Sequence, residues 1–145
     1  MGAIKLHDLK ITSLRRIETA GGDVLHAMKQ SDLGFAGFGE AYFSCVNAGA
    51  VKGWKRHKLI TMNLVVPLGR VRFVFCQMDD HNKPEFRVEE IGLDRYIRAT
   101  IPAGIWFAFQ GMAEPQSLVL NIASAPHDPN EVERINIDVI DYAWS

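Results

Sequence analysis

Lys55 and His57, two positions apart, are the residues of this 145-residue chain whose types and spacing could move a proton. Side chains alternate across an extended strand, so the ammonium and the imidazole stand on one face of it. An imidazole titrates near neutrality and can serve as a general base. A desolvated lysine with a lowered pKa can serve as acid, as base, or as the cation that stabilises an enolate. A quieter reading stands beside this one, in which His57 is a hydrogen-bonded pocket wall and Lys55 binds a carboxylate or phosphate. The pair sits inside a spaced frame, Gly49, Lys55, His57, Met62 and Gly69, and a later stretch spaces Pro102, Gly104 and Phe107.

Together the two stretches resemble the two-motif frame of cupins, G-x5-H-x-H-x4-E-x6-G and P-x-G-x2-H. A metal site on that frame draws imidazoles and a carboxylate from its variable positions and needs about three such ligands. Here those positions read Lys55, His57, Met62 and Phe107. An ammonium adds positive charge where the ion would sit, and a phenyl ring offers no donor. The other histidines, His7, His26, His81 and His127, have no short ligand spacing to one another. A metal dioxygenase or metal isomerase is therefore not expected, and neither a metal nor another cofactor is called for.

The elements that must position this pair read as strands. Period-two stretches run over Asp8–Ile17, Asp23–Lys29, Gly39–Val46, Val51–Lys55, Thr61–Val66, Arg70–Gln77, Glu85–Ile91, Arg95–Ile101, Ile105–Phe109 and Ser117–Ile122, with turn residues between most of them. The spacing predicts an all-β single domain over residues 1–145, a sandwich or a jelly roll, and the resemblance to the cupin frame implies the cupin jelly-roll barrel. One short helix is expected near the C-terminus, with Asp128 as N-cap, Pro129 in the first turn and Glu131 reaching back to the cap. His127 beside it reads as a loop residue. Cys45 and Cys76 read as buried free thiols.

Composition narrows the partners. A net charge of -1 with the two signs interspersed leaves no footprint for nucleic acid or an anionic membrane. No stretch approaches the roughly 20 apolar residues of a membrane span. Lys5, His7, Asp8 and Lys10 interrupt any apolar leader, so a cytoplasmic protein is expected.

Beyond the cupin frame, the sequence resembles the dTDP-4-dehydrorhamnose 3,5-epimerases and the dTDP-4-keto-6-deoxyhexose 3,4-ketoisomerases. Residues 49–57, GAVKGWKRH, stand against the epimerase hallmark G-V-L-R-G-L-H-Y-Q. Against the ketoisomerase hallmark R-G-x-H-A-H-K, His57 and Lys58 match. Residues 101–109 resemble the epimerase block I-P-x-G-F-A-H-G-F, and residues 123–131 resemble the ketoisomerase ending A-S-x-x-Y-D-x-x-D. The likeness spans roughly residues 23 to 138.

The resemblance implies an isomerase of a nucleotide-linked 4-keto-6-deoxy sugar in cell-surface polysaccharide (lipopolysaccharide/O-antigen) synthesis. The epimerase base falls on Lys55, the epimerase tyrosine on Leu120 and the second-motif histidine on Phe107, so the usual groups are replaced. His57 and Lys55 are then the catalytic candidates, with Asp138 near the acidic position that orients the base. Lys52 falls on a phosphate-binding arginine. Arg56 and Arg72 are further cationic candidates, Tyr42 and Trp106 could stack on a base or sugar, and Asn63 and Gln110 could bond its hydroxyls. The alternative function is a non-catalytic cupin that binds a sugar or nucleotide sugar. A homodimer is expected, with the N-terminal strand around Ile11 to Ile17 as the pairing element.

Overall fold

The computed structural model describes residues 4–144. Among the described residues twelve strands form, and the ten expected stretches account for eleven of them: β1 Lys10–Ser13, β2 Arg16–Ile17, β3 Val24–Leu25, β4 Glu40–Asn47, β5 Val51–His57, β6 Met62–Leu68, β7 Arg70–Met78, β8 Pro84–Gly92, β9 Ile97–Ile101, β10 Trp106–Gly111 and β11 Gln116–Ala123. The twelfth is β12, Val132–Arg134. Two five-stranded antiparallel sheets result, in the orders β1-β9-β6-β11-β4 and β12-β5-β10-β7-β8, with β2 and β3 paired apart. This is an all-β jelly roll, one of the two architectures that the strand spacing indicates and the one that the cupin-like frame implies.

Between the sheets lies the main core, which includes Leu64, Val66, Phe73, Phe75, Phe107, Phe109 and Val119. The alternation of β7 sends Val71, Phe73 and Phe75 into it. Val74 and Cys76 on the opposite face are buried as well, in a second cluster with Trp54, Trp106, Ala108 and Ile140. Tyr142 and Trp144 pack against that cluster, so the C-terminal segment covers the outer face of the second sheet. Hence every residue of β10 is buried and its sequence shows no alternation.

Three expectations need correction. No helix forms over residues 128–135. The Asp128 carbonyl accepts the Glu131 N–H in a single turn, and Val132–Arg134 then pairs with β5. The nearest helical structure is one 3-10 turn, Ile137–Val139. Strand pairing prevailed because the Glu131 carboxylate is drawn to β5 and the loop after it rather than back to its own cap. The N-terminal stretch is not one strand but splits in two, with β1 on β9 at the outer edge of the first sheet and β2 on β3. Finally, Cys76 is buried but Cys45 is exposed on the edge strand β4.

Candidate active site

A cavity of about 420 Å³ opens between the edge strand β4 and the β12-β5-β10 side of the second sheet. Its walls are Glu40, Tyr42 and Ser44 of β4, residues 52–55 of β5, Phe107 and Phe109 of β10, and His127, Arg134 and Ile135 from the C-terminal segment. Strict alternation would put Lys52 and Lys55 on opposite faces. However, Phe107 stands opposite Lys55 while Phe109 stands opposite Lys52, so β5 has one more residue here than β10. That bulge cancels one alternation, and both lysines line the cavity. Gly53 lies within it at φ 146°, where any Cβ would collide with Ala108.

Lys55 and Arg134 are register partners across β5 and β12, which sets two cations side by side. The Lys55 ammonium lies 5.4 Å from the centroid of the Phe107 ring. It makes no hydrogen bond or ion pair among the described residues. Burial first, and then the Arg134 charge, push it down to about 8 against the pull of Glu131. Lys52, by contrast, donates to the Cys45 carbonyl at 2.6 Å. On the facing wall, burial and the Glu40 charge raise the Tyr42 hydroxyl above its ordinary value against the pull of Arg134, so it stays protonated at neutral pH.

His57 does not line the cavity. It is buried one step further along β5, stacked at 6.3 Å on Phe107, whose ring forms part of the cavity wall. Its Nδ1 lies 2.7 Å from Oε1 of Glu131. The other carboxylate oxygen of Glu131 accepts the backbone N–H groups of Lys58, Leu59 and Ile60 at 2.8–3.0 Å. Burial pushes the Glu131 carboxyl up, but the bonds from His57, Leu59 and Ile60 outweigh it and hold the group below its ordinary value. An ionised carboxylate can only accept, so Nδ1 carries the proton and Nε2 is left with its lone pair. Nε2 is buried with no protein partner. Burial is the largest influence on the ring and, with Lys55 and Arg134, keeps its pKa below the usual value despite Glu131. The imidazole is therefore neutral at pH 7, with its basic nitrogen unpaired.

The other sequence-derived candidates are held elsewhere. Arg56 leaves the opposite face of β5, forms a two-pronged pair with Glu133 at 3.1 and 3.0 Å, and lies over the buried Trp106 ring at 4.5 Å. Arg72 bonds Glu90 on the neighbouring strand β8. Asn63 donates to the Gly34 carbonyl and accepts from the Thr100 hydroxyl. Gln110 donates to the Gly49 carbonyl. Asp138 is exposed in the Ile137–Val139 turn, away from His57. Alternation and chain packing direct all of these away from the cavity. Tyr42, Lys52 and Lys55 are the candidates that line it.

Glu131 holds the position beside His57 that the sequence reading gave to Asp138. A signal for it existed, because Glu131 falls on the last acidic position of the A-S-x-x-Y-D-x-x-D block, but the local capping pattern claimed it first. Arg134 and His127 were missed as cavity residues because the segment bearing them reads as helix and loop rather than as a strand closing the sheet.

Among solved structures, the chain is similar to a dTDP sugar isomerase from Desulfovibrio desulfuricans G20. The two are 33% identical over 94% of this chain and 90% of the other, with a TM-score of 0.88. The chain belongs to the dTDP-sugar isomerase and epimerase group of cupins. The same cupin fold is shared with QdtA, a sugar 3,4-ketoisomerase from Thermoanaerobacterium thermosaccharolyticum crystallised with TDP, at 19% identity over 93% of each chain and a TM-score of 0.75. A dTDP-4-dehydrorhamnose 3,5-epimerase from Bacillus anthracis, at 16% identity over 94% of this cupin and 83% of the other chain, gives a TM-score of 0.78. No protein-family model and no curated protein matches the chain.

Proposed function

We propose that this cupin is a metal-independent isomerase, an epimerase or 3,4-ketoisomerase, of a 4-keto-6-deoxy sugar linked to a nucleoside diphosphate. In this reading it acts in the cytoplasm and feeds cell-surface polysaccharide synthesis. The observation that carries the proposal is the His57–Glu131 pair, a neutral imidazole whose tautomer is set by a carboxylate and whose other nitrogen is unpaired. The residues on the cupin ligand frame do not fit a metal, so no step is routed through one.

A C–H bond beside a ketone is acidic because its anion delocalises as an enolate. His57 Nε2 takes that proton, Lys55 stabilises the charge that develops on oxygen, and the protonated Tyr42 hydroxyl on the facing wall returns a proton. Entry of the ligand has to displace the side chains covering Nε2. Lys52 and Arg134, both on the cavity wall, supply positive charge for the diphosphate. A homodimer belongs to this reading, supported by the open edge of β4, where Phe43 is 61% exposed.

The test is exchange of solvent deuterium into C3 or C5 of TDP-4-keto-6-deoxyglucose, followed by NMR. Wild type should exchange and His57→Asn should not. The covering of Nε2 favours a second reading, a nucleotide-sugar-binding cupin without turnover. Tight binding of the sugar with no exchange would select it.

A further inference from the structure

We propose that Lys55 is a carbonyl-capturing amine, which adds through Nζ to the ketone carbon of the sugar in the cavity and holds it as a reversible imine. The proposal rests on the isomerase reading for its ligand class and goes beyond it in making the enzyme–ligand link covalent.

Three features of the site support it. Lys55 lies on the cavity wall, and no carboxylate or carbonyl engages its Nζ. Its neighbour Lys52 shows the contrast, since its Nζ is tied to the Cys45 carbonyl. The surroundings also disfavour a charged amine at this spot, with the Phe107 ring beneath it and the Arg134 cation in register beside it. Desolvation and an adjacent cation are the two conditions that turn a lysine into a nucleophile. The ionisable groups around it are Glu40 and Tyr42 on β4, Lys52 on β5, Arg134 on β12, and His127 and Glu131 before β12. With its pKa lowered to about 8, half of the amine is free at pH 8, roughly a hundredfold more than for an ordinary lysine.

The chemistry needs no oxidant or reductant. The Nζ lone pair forms the N–C bond as the carbonyl π pair moves to oxygen, and a proton passes from nitrogen to oxygen to give the carbinolamine. Loss of water, with Tyr42 as the nearby proton donor to the departing oxygen, leaves a protonated imine. That cation acidifies the neighbouring C–H as the ketone does, and proton removal gives an enamine in place of an enolate. Return of water releases the sugar and the amine.

The test incubates the full-length protein at pH 8 with TDP-4-keto-6-deoxyglucose and sodium cyanoborohydride, then measures intact mass and maps peptides. One adduct of the ligand mass less one oxygen, located on Lys55 and lost in Lys55→Arg, is the expected result. Deuterium exchange without reductant is measured in parallel. Exchange with no adduct overturns the imine and leaves the proton-transfer reading standing. An adduct on Lys55 without exchange supports the imine and counts against the isomerase. Absence of both overturns both, and an adduct spread over the exposed lysines overturns the imine. Peptide mapping of wild type decides the site even if Lys55→Arg fails to fold.

Discussion

His57 and Lys55 leave the same strand on the same side, yet Glu131 pins one of them while the other faces the cavity with no hydrogen bond or ion pair among the described residues. The imidazole is fixed through Nδ1 by a carboxylate that three backbone N–H groups hold in place through its other oxygen, so its ring cannot turn without giving up that bond. The Lys55 ammonium lies over the face of the Phe107 ring, 5.4 Å from its centroid. The difference shows how one strand face can carry an oriented base and a reactive amine. A carboxylate bonded to the first sets its tautomer, while burial and the Arg134 cation lower the charge of the second.

Removing the pin should have the largest effect. Glu131→Ala leaves the Leu59 and Ile60 N–H groups without their acceptor and frees His57. A loss of about 3–5 kcal/mol in urea unfolding is expected, together with loss of exchange activity. The sign with pH follows from the lowered carboxyl. Its contribution is present above its unfolded value of 4.5 and is lost as pH falls through the folded value. Glu131→Gln should therefore be less sensitive to acid than wild type over that range.

His57→Asn removes the base and leaves the fold standing. The exchange rate should drop by about 10²–10⁴, the usual worth of a positioned general base, with a much smaller change in Tm. A variant that keeps its rate would remove His57 from the chemistry.

Lys55 should behave in the opposite sense on stability. Its folded pKa is about 8 against 10.5 unfolded, so between those values the unfolded chain binds more protons and stability from this residue rises with pH. Lys55→Met removes that dependence and relieves a half-buried charge. Its Tm at pH 7 should rise by about 2–4 °C, for roughly 1 kcal/mol gained, as activity is lost. A fall in Tm would mean that the ammonium is stabilised where it sits.

The smallest effect is expected away from the cavity. Arg72→Ala breaks a partly exposed pair with Glu90 and should cost no more than about 1 kcal/mol, with catalysis unchanged. A large rise in KM would return Arg72 to the substrate.

Much of the barrel could be read from the chain because its rules are local. Alternation in Arg70–Gln77 and turn residues such as Gly69, at φ 83° between β6 and β7, fix where strands run and which side of β7 meets the core. Lys55 and His57 follow from the same period. Glu131 does not, because its bond to His57 joins residues 74 apart and leaves no short-range pattern, while Asp128, Pro129 and Glu131 do imitate a helix start. Lys52 reached the cavity through a bulge that only the pairing with β10 reveals. Arg56, Asn63 and Trp106 share the opposite limitation. Their types suit a sugar, but whether a strand side faces ligand or covering chain depends on segments far away, here residues 135–144 and the loop containing Gly34.

The central claim is that burial keeps His57 neutral while Glu131 fixes its proton on Nδ1, leaving a bare Nε2. Nitrogen-15 NMR of the histidine rings across pH reads this directly. The His57 signals should show the Nδ1–H tautomer at pH 7, with protonation only below the ordinary histidine value of 6.5. A ring that is doubly protonated at pH 7, or one that carries its proton on Nε2, would contradict the account.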